Sequence, residues 1–369
     1  MLGLGKEMKT KVAIVKCRDY ERIKVEQAVK KAFDFLGGIG IFIKKSEKVL
    51  IKPNILSVRM PEDGVCTHLE VIRAVVKSVR DCGALPFIGD NPGGSLSPAK
   101  AYEGSGLMSL AKEVGVELKE AKGAKVVNGI PIASYFFECD KIINLPKMKT
   151  HCLMGLTGAI KNMYGAVTGL HKSELHKKFP SPEEFAKVLI DTFEIVKPNL
   201  VLMDGIIGMD QDGPSSGRAR NLGLLIAGED SVAIDAVFAE LIGIKPLSVI
   251  TTREAYMRKL GEADLENIEI LGESVKESLI NNFEVPGKYK LISILGPCAK
   301  FAARFVKFGP HIDKGLCKKC MICQDSCPVL AITINPKNST IDLKKCIKCM
   351  CCHEVCPHKA VELKRNFLA

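Results

Sequence analysis

The sequence contains no tryptophan, and aromatic residues make up only 6% of it. No stripe interleaves its lysines and arginines with aromatic side chains, so it lacks the stacking platforms and basic grooves that hold nucleic acid. No G-x-x-x-x-G-K-[ST] run occurs, and no G-x-G-x-x-G follows an apolar run. The backbone amides of such loops are what cradle phosphates, so a nucleoside triphosphate or a Rossmann-bound dinucleotide is not expected. No uncharged apolar stretch is long enough to cross a bilayer. The short, polar, Gly-rich start Met1–Met8 does not read as a cleavable signal. The expectation is a soluble, cytoplasmic protein.

What the sequence has in excess is cysteine: fifteen in 369 residues, nine of them between Cys317 and Cys356. Scattered cysteines are usually small core hydrophobes, whereas a dense run at fixed short spacing belongs to metal and needs reduced thiols. Cys317-x2-Cys320-x2-Cys323-x3-Cys327-Pro328 recurs 29 residues later as Cys346-x2-Cys349-x2-Cys352-x3-Cys356-Pro357. Three cysteines at intervals of three wrap a tight loop around one cube, and the proline redirects the chain before the fourth. In duplicated modules of this kind the fourth ligand serves the other cluster. Cluster one is therefore expected to take Cys317, Cys320, Cys323 and Cys356, and cluster two Cys346, Cys349, Cys352 and Cys327. Zinc ribbons use pairs of C-x2-C rather than four-cysteine runs closed by proline. Cys351, the ninth, is out of register and reads as a packing residue. The segment resembles the bacterial-type two-cluster ferredoxins, which implies two 4Fe-4S clusters carrying single electrons at low potential. Two such clusters, with their thiolates, lower the formal charge of +11 to roughly +7. Clusters of this type together with many lysines would suit an anaerobe.

Residues 8–295 alternate short apolar runs with amphipathic stretches. Runs such as Val12–Val15, Val49–Ile51, Pro86–Ile88, Ile142–Leu145 and Leu200–Met203 are nearly continuous in branched residues. Strands of that kind are buried on both faces, so the expectation is an α/β domain with a mostly parallel sheet and helices on both faces. Thr67-His-Leu-Glu70 and Ser181-Pro-Glu-Glu184 read as capping boxes, Asp230 or Ser231 as a further helix start, and Asn128-Gly129 as a hairpin turn. Residues 296–310 read as a basic amphipathic linker, with a Phe301, Phe305, Phe308 stripe on a helix over Lys300–Phe308 and a stop at Gly309-Pro310. The small α+β dicluster domain then occupies 311–369.

Parallel sheets bind ligands at the carboxyl ends of their strands. Asn54, Asp90, Lys147 and Asp204 follow four of the apolar runs, which makes them candidate cleft residues. The stretch 141–178 holds seven lysines, three histidines and the single acid Glu174. Within it Lys147, Lys149, His151, Lys161 and Asn162 are candidates to hold an anion, with the Gly155–Gly165 segment offering a helix N-terminus. Lys149, His151 and Asp204 are candidate catalytic groups, His151 as a proton donor. The Gly-rich segment Asp204–Arg218 reads as a lid or an ordinary long loop; it is not a calcium loop, because Asn221 stands where the closing Glu belongs.

Lys52-Pro-Asn54, Asn144-Leu-Pro-Lys-Met-Lys-Thr-His151, Thr157-Gly-Ala-Ile-Lys161-Asn162, Asp204-Gly-Ile, Gly213-Pro-x-x-Gly217 and Ala233-Ile-Asp235 together resemble the family called domain of unknown function 362. Its members often end in a two-cluster ferredoxin. The fusion implies an iron–sulfur oxidoreductase that passes electrons between its clusters and a small anionic substrate or second cofactor. The alternative is a non-enzymatic carrier whose large domain docks a redox partner protein.

Overall fold

The computed structural model describes residues 9–286 and 307–366. A ten-stranded sheet forms the large domain. Its strands in chain order are β1 (Thr10–Lys16), β2 (Lys48–Pro53), β3 (Leu85–Gly89) and β4 (Glu117–Lys119). After a separate hairpin of β5 (Ala124–Val127) and β6 (Ile130–Ala133), the sheet resumes with β7 (Lys141–Leu145), β8 (Lys147–His151) and β9 (Gly155–Thr157). It closes with β10 (Leu200–Asp210), β11 (Arg218–Gly228) and β12 (Ile268–Gly272). The spatial order is β12-β1-β11-β10-β7-β2-β3-β4, with β8 and β9 branching from β10. Within this sheet, among the described residues, only the β1–β11, β10–β11 and β8–β9 pairs are antiparallel.

Side chains along a strand alternate between faces, so a continuous apolar run feeds two cores at once. Val12 and Ile14 pack on one side of the sheet with the helices Pro182–Ile195 and Ser231–Leu241. Ala13 and Val15 pack on the other with Arg22–Phe35 and Leu69–Asp81. Each Val, Leu or Ile buried this way contributes roughly 1.5–3 kcal/mol, which is why both faces must be covered. The expected mostly parallel sheet between helices is what forms.

Ser181 caps its helix by accepting from the Glu184 amide, and Asp230 accepts from Val232 and Ala233. The hairpin turn at Asn128-Gly129 has positive φ at both residues, 50° and 77°. The capping box at Thr67 differs from expectation. His68 caps the helix from Leu69 through Nδ1, while Thr67 Oγ1 accepts from the Asn54 amide and donates to Leu145 O. Thr67 ties the ends of β2 and β7 together instead.

The expected linker helix over Lys300–Phe308 lies outside the described residues except for Lys307 and Phe308. Those two open β13 (Lys307–Ile312), which also contains Gly309 and Pro310. After β14 (Ile332–Ile334) and β15 (Ser339–Ile341), β13 pairs antiparallel with β16 (Val361–Asn366) in the small cysteine-rich domain.

One feature of the topology places the site. From β2 the chain moves outward through β3 to β4, then returns to the opposite side of β2 as β7. Strand order therefore reverses between β2 and β7, and a crevice opens beyond their carboxyl ends.

Candidate functional site

The sequence Lys-Met-Lys-Thr-His forms a strand rather than a strand-end loop. Alternation turns Lys147, Lys149 and His151 to one face and Met148 to the core on the other. All three polar side chains are buried, and each finds a different environment. Lys147 Nζ donates to Asp204 Oδ2 at 2.7 Å and to the Tyr20 hydroxyl at 2.8 Å. Asp204 lies inside β10, not after it, and accepts from four donors: Lys147, Tyr20, and the His68 and Ile206 amides. Tyr20 stacks on His68 with ring centroids 3.5 Å apart. Lys147 and Asp204 are thus closed on each other. Asp90 is closed likewise on Lys52 Nζ at 2.7 Å and on the Ile55 amide. Gly165 runs directly over that pair, where a Cβ would strike Asp90 Oδ1 and Lys52 Nζ. Burial lowers the pKa of both Lys52 and Lys147 against the pull of their aspartates.

Lys149 has no carboxylate. Its Nζ donates to Asn54 Oδ1 at 2.7 Å and to Val65 O at 2.6 Å. Asn54 then donates to Asn162 Oδ1, Asn162 to Asn144 Oδ1, and Asn144 to Ala159 O. This amide chain locks Asn54 and Asn162 at one wall of the crevice. Burial, helped by the nearby Lys161 charge, pushes the Lys149 ammonium down to about 7. Lys161 leaves the same short helix, Ala159–Asn162, and its Nζ has no hydrogen bond or ion pair among the described residues. The acceptor at that helix N-terminus is the protein's own carboxyl, which burial pushes up to about 7. Asp235, from Ser231–Leu241, accepts from the Ala159 and Ile160 amides at 2.5 and 3.1 Å.

The crevice has two lobes. One, about 300 Å³ including its open mouth, is lined by Asn54, Lys149, Thr157, Lys161 and Pro214 among others. The larger, about 550 Å³ including its open mouth, adds Asp90, Lys172, Ser173 and His176. It also adds Cys351, Glu354 and Val355 from the cysteine-rich domain. Lys172 Nζ is buried against the carbonyls of Asn91 and Pro92, and burial takes it down to about 7. The buried Ser173 hydroxyl, at the same wall, has no hydrogen-bond partner among the described residues.

His151 reaches neither lobe's lining. Its Nδ1 accepts from the Leu153 and Met154 amides, which leaves the proton on Nε2, 2.9 Å from Glu354 Oε1. Burial, with Lys161 nearby, lowers the imidazole to about 4. Burial opposes ionisation of Glu354, but Lys161, His151 and His176 outweigh it and hold the carboxyl well below its usual range. His176, stacked on Phe185 at 3.7 Å, is driven by burial to about 3. Between pH 6.5 and these lowered values the unfolded chain binds protons that the folded chain refuses. Stability is therefore fully present above pH 6.5 and lost as pH falls through that window. From pH 7 to 5 each imidazole should cost roughly 2 kcal/mol. The melting temperature of the anaerobic protein, followed by circular dichroism, should fall over that range, and less in His176→Phe.

Several of these groups were not singled out from the sequence. Lys172 and His176 belong to the lysine-rich stretch already noted. Glu354 corresponds to Asp325 in the 29-residue repeat, yet Asp325 is exposed and Glu354 buried. That asymmetry is where the second copy meets the large domain. His353 places Nδ1 at Val361 O and Nε2 at Asp212 O, carbonyls that can only accept, Ser215 Oγ donates to His353 O, and Ser326 Oγ accepts from the Ser95 amide. Gly94, at φ 59°, passes so close to Ser326 that a Cβ would collide with its hydroxyl. The Asp204–Arg218 segment is therefore no free lid: β10 runs through Asp210, and the loop beyond it is clamped to His353. Gly213-Pro-Ser215-Ser-Gly217 also fits the spacing of a hydrolase nucleophile elbow. That reading fails on context, since Ser215 joins two antiparallel strands rather than a strand and a helix.

The two expected cysteine sets line separate cavities. One apolar cavity is lined by Cys317, Cys320, Cys323 and Cys356, the other by Cys327, Cys346, Cys349 and Cys352. No group of three or more His, Cys, Asp or Glu among the described residues could hold a single metal ion. Cys351 packs beside the second set and also lines the large lobe.

Residues 49–240 match the family described as domain of unknown function (DUF362), and residues 309–357 match the 4Fe-4S dicluster domain. The chain is 28% identical, over 82% of its own length and 98% of the relative's, to the thylakoid-associated protein sll1697 of Synechocystis. Among solved structures it matches the lactate racemase apoprotein from Thermoanaerobacterium thermosaccharolyticum at 12% identity and a TM-score of 0.35. That match covers 60% of this chain and about half, 54%, of the racemase chain. Among the described residues no helix is long and apolar enough to cross a membrane.

Proposed function

We propose, for a chain that belongs to the DUF362 family and ends in a 4Fe-4S dicluster domain, that cluster two exchanges electrons with a small anionic ligand held in the crevice between the domains. The dicluster domain itself implies iron–sulfur electron transfer. The single observation that carries the rest is the helix Cys351–Val355. Its Cys352 belongs to cluster two, while its Cys351, Glu354 and Val355 line the large lobe. A ligand there would sit within one helix width of the cluster, so the clusters supply electrons at the place where the large domain can hold something to reduce or oxidise.

The anion follows from charge and burial. Among the described residues Lys161 has no hydrogen bond or ion pair, its charge bears on Glu354 and Lys149, and the Ser173 hydroxyl is left unsatisfied. A buried polar atom left unpaired costs about 1–3 kcal/mol, which a ligand oxygen would recover. Asn54 and Asn162 hold the wall rigid, and Asp235 fixes the helix that projects Lys161. His151, neutral with its single proton on Nε2, stands 2.9 Å from the Glu354 carboxylate that lines the large lobe. With its thiols reduced, the protein works in a reducing compartment such as the cytoplasm.

The test is anaerobic. With the clusters reduced, small carboxylates and phosphates are screened for reoxidation by the loss of reduced absorbance. Lys161→Ala should raise the KM of an active compound by about 10- to 100-fold, a lost charged hydrogen bond being worth about 1.5–3 kcal/mol. Unchanged kinetics in Lys161→Ala would move the reaction out of the crevice. Salt-sensitive capture of an acidic protein, with no small molecule reoxidising the clusters, would support the carrier reading instead.

A further inference from the structure

The crevice contains a lysine whose surroundings suit bond formation better than charge pairing. We infer that Lys149 is a nucleophile that captures the carbonyl of a small oxo acid as an imine, with the substrate carboxylate on Lys161. The inference rests on the crevice being the ligand site and adds the substrate class.

The geometry carries it. Lys147, two residues earlier on the same face of β8, is neutralised by Asp204 and held by Tyr20. Lys149 has only two neutral acceptors, Asn54 Oδ1 and Val65 O. A neutral amine has two N–H donors and one lone pair. Both donors are used, which leaves the lone pair, and Lys149 lines the smaller lobe together with Lys161, Asn54 and Gly158. The charged groups that bear on Lys149 are Lys161, Lys147 and Glu354, with Cys66 as the nearest thiol. Burial is the main influence against the ammonium, with Lys161 and Lys147 adding to it and Cys66 and Glu354 opposing, so the free amine is accessible near neutrality. Lys161 then has two uses: it disfavours the Lys149 ammonium and gives a carboxylate a counter-charge. Lys172 is also lowered to about 7, but both of its contacts are carbonyls of the adjoining Asn91-Pro92 segment. It serves as a clamp on that loop.

The step balances without a co-reactant. The amine lone pair adds to the carbonyl carbon, the carbonyl oxygen collects two protons and leaves as water, and a C=N bond remains. No electron is gained or lost. Asn54, hydrogen-bonded to Lys149 and fixed by Asn162, keeps the amine aimed during addition.

The full-length protein is incubated anaerobically with pyruvate or 2-oxobutyrate and cyanoborohydride, then mapped by peptide mass spectrometry. One reduced adduct per chain, on the Lys149 peptide, is expected. Lys161→Ala should need about tenfold more oxo acid for the same yield, and acetone, which lacks the carboxylate, should label poorly. In Lys149→Arg the adduct should vanish; should that variant not fold, the wild-type map decides alone. Absence of an adduct, or label spread over surface lysines at the same level, overturns the inference. Trapping needs no electron transfer. An adduct with clusters that nothing reoxidises would sink the redox reading alone, while reoxidation without an adduct would sink this one alone.

Discussion

Cys327→Ala is expected to cost the protein its second cluster and spare the first, although Cys327 stands in the first cysteine run. Anaerobically purified protein should fall from about eight irons to about four. The reason is spatial. Cys327 lines the same cavity as Cys346, Cys349 and Cys352, while Cys356, from the second run, lines that of Cys317, Cys320 and Cys323. Pro328 and Pro357 send each fourth cysteine across. Cys356→Ala should therefore do the reverse and remove cluster one. Iron and sulfide counts with the spectra of the reduced variants separate the two cases. If Cys327→Ala lost cluster one while keeping cluster two, the crossing would be wrong. Because only cluster two borders the crevice, Cys327→Ala should also abolish reoxidation by any crevice ligand. Cys351→Ala should keep both clusters, since that thiol lies between the second cavity and the lobe and completes neither set.

Asp204→Ala should be the most damaging single change in the large domain outside its apolar core. It leaves the Lys147 ammonium, 0% exposed, with no counter-charge, and it strands the His68 amide and the Tyr20 hydroxyl. Breaking a buried pair from one side costs about 3–5 kcal/mol. The unfolding midpoint in urea should drop accordingly, with the slope unchanged. Lys147→Met combined with Asp204→Asn should recover much of that loss, because it removes both charges together. A stable Asp204→Ala protein that had lost only its reaction would instead place Asp204 in the chemistry. The same contrast applies to Lys52 and Asp90, on the other side of β2.

The two aspartates explain why strand-end reasoning located the crevice but could not assign its residues. Asn54, Asp90, Lys147 and Lys149 do converge, since parallel strands deliver their carboxyl ends to one edge. A lysine in a strand reads the same whether or not an aspartate from another strand meets it. Lys147 and Lys149 are two residues apart and similarly buried, yet only one has a carboxylate. The difference is set by Asp204, 57 residues further along. The cap on the Ala159–Asn162 helix is a similar case: Gly155–Gly165 promised an open helix N-terminus, and Asp235 fills it from another helix.

The amino-acid sequence alone determined the duplicated cysteine run of a dicluster domain, the mostly parallel sheet and the edge where polar residues collect. Those depend on spacing and periodicity, which are local and repeat along the chain. Tertiary structure alone decided which lysine is paired and which is free. It also decided that His151 faces Glu354, and that the second copy of the cysteine repeat forms a wall of the crevice. Those depend on contacts between residues far apart in sequence, where burial turns a charge that costs little in water into one that must be paired, hydrogen-bonded or neutralised.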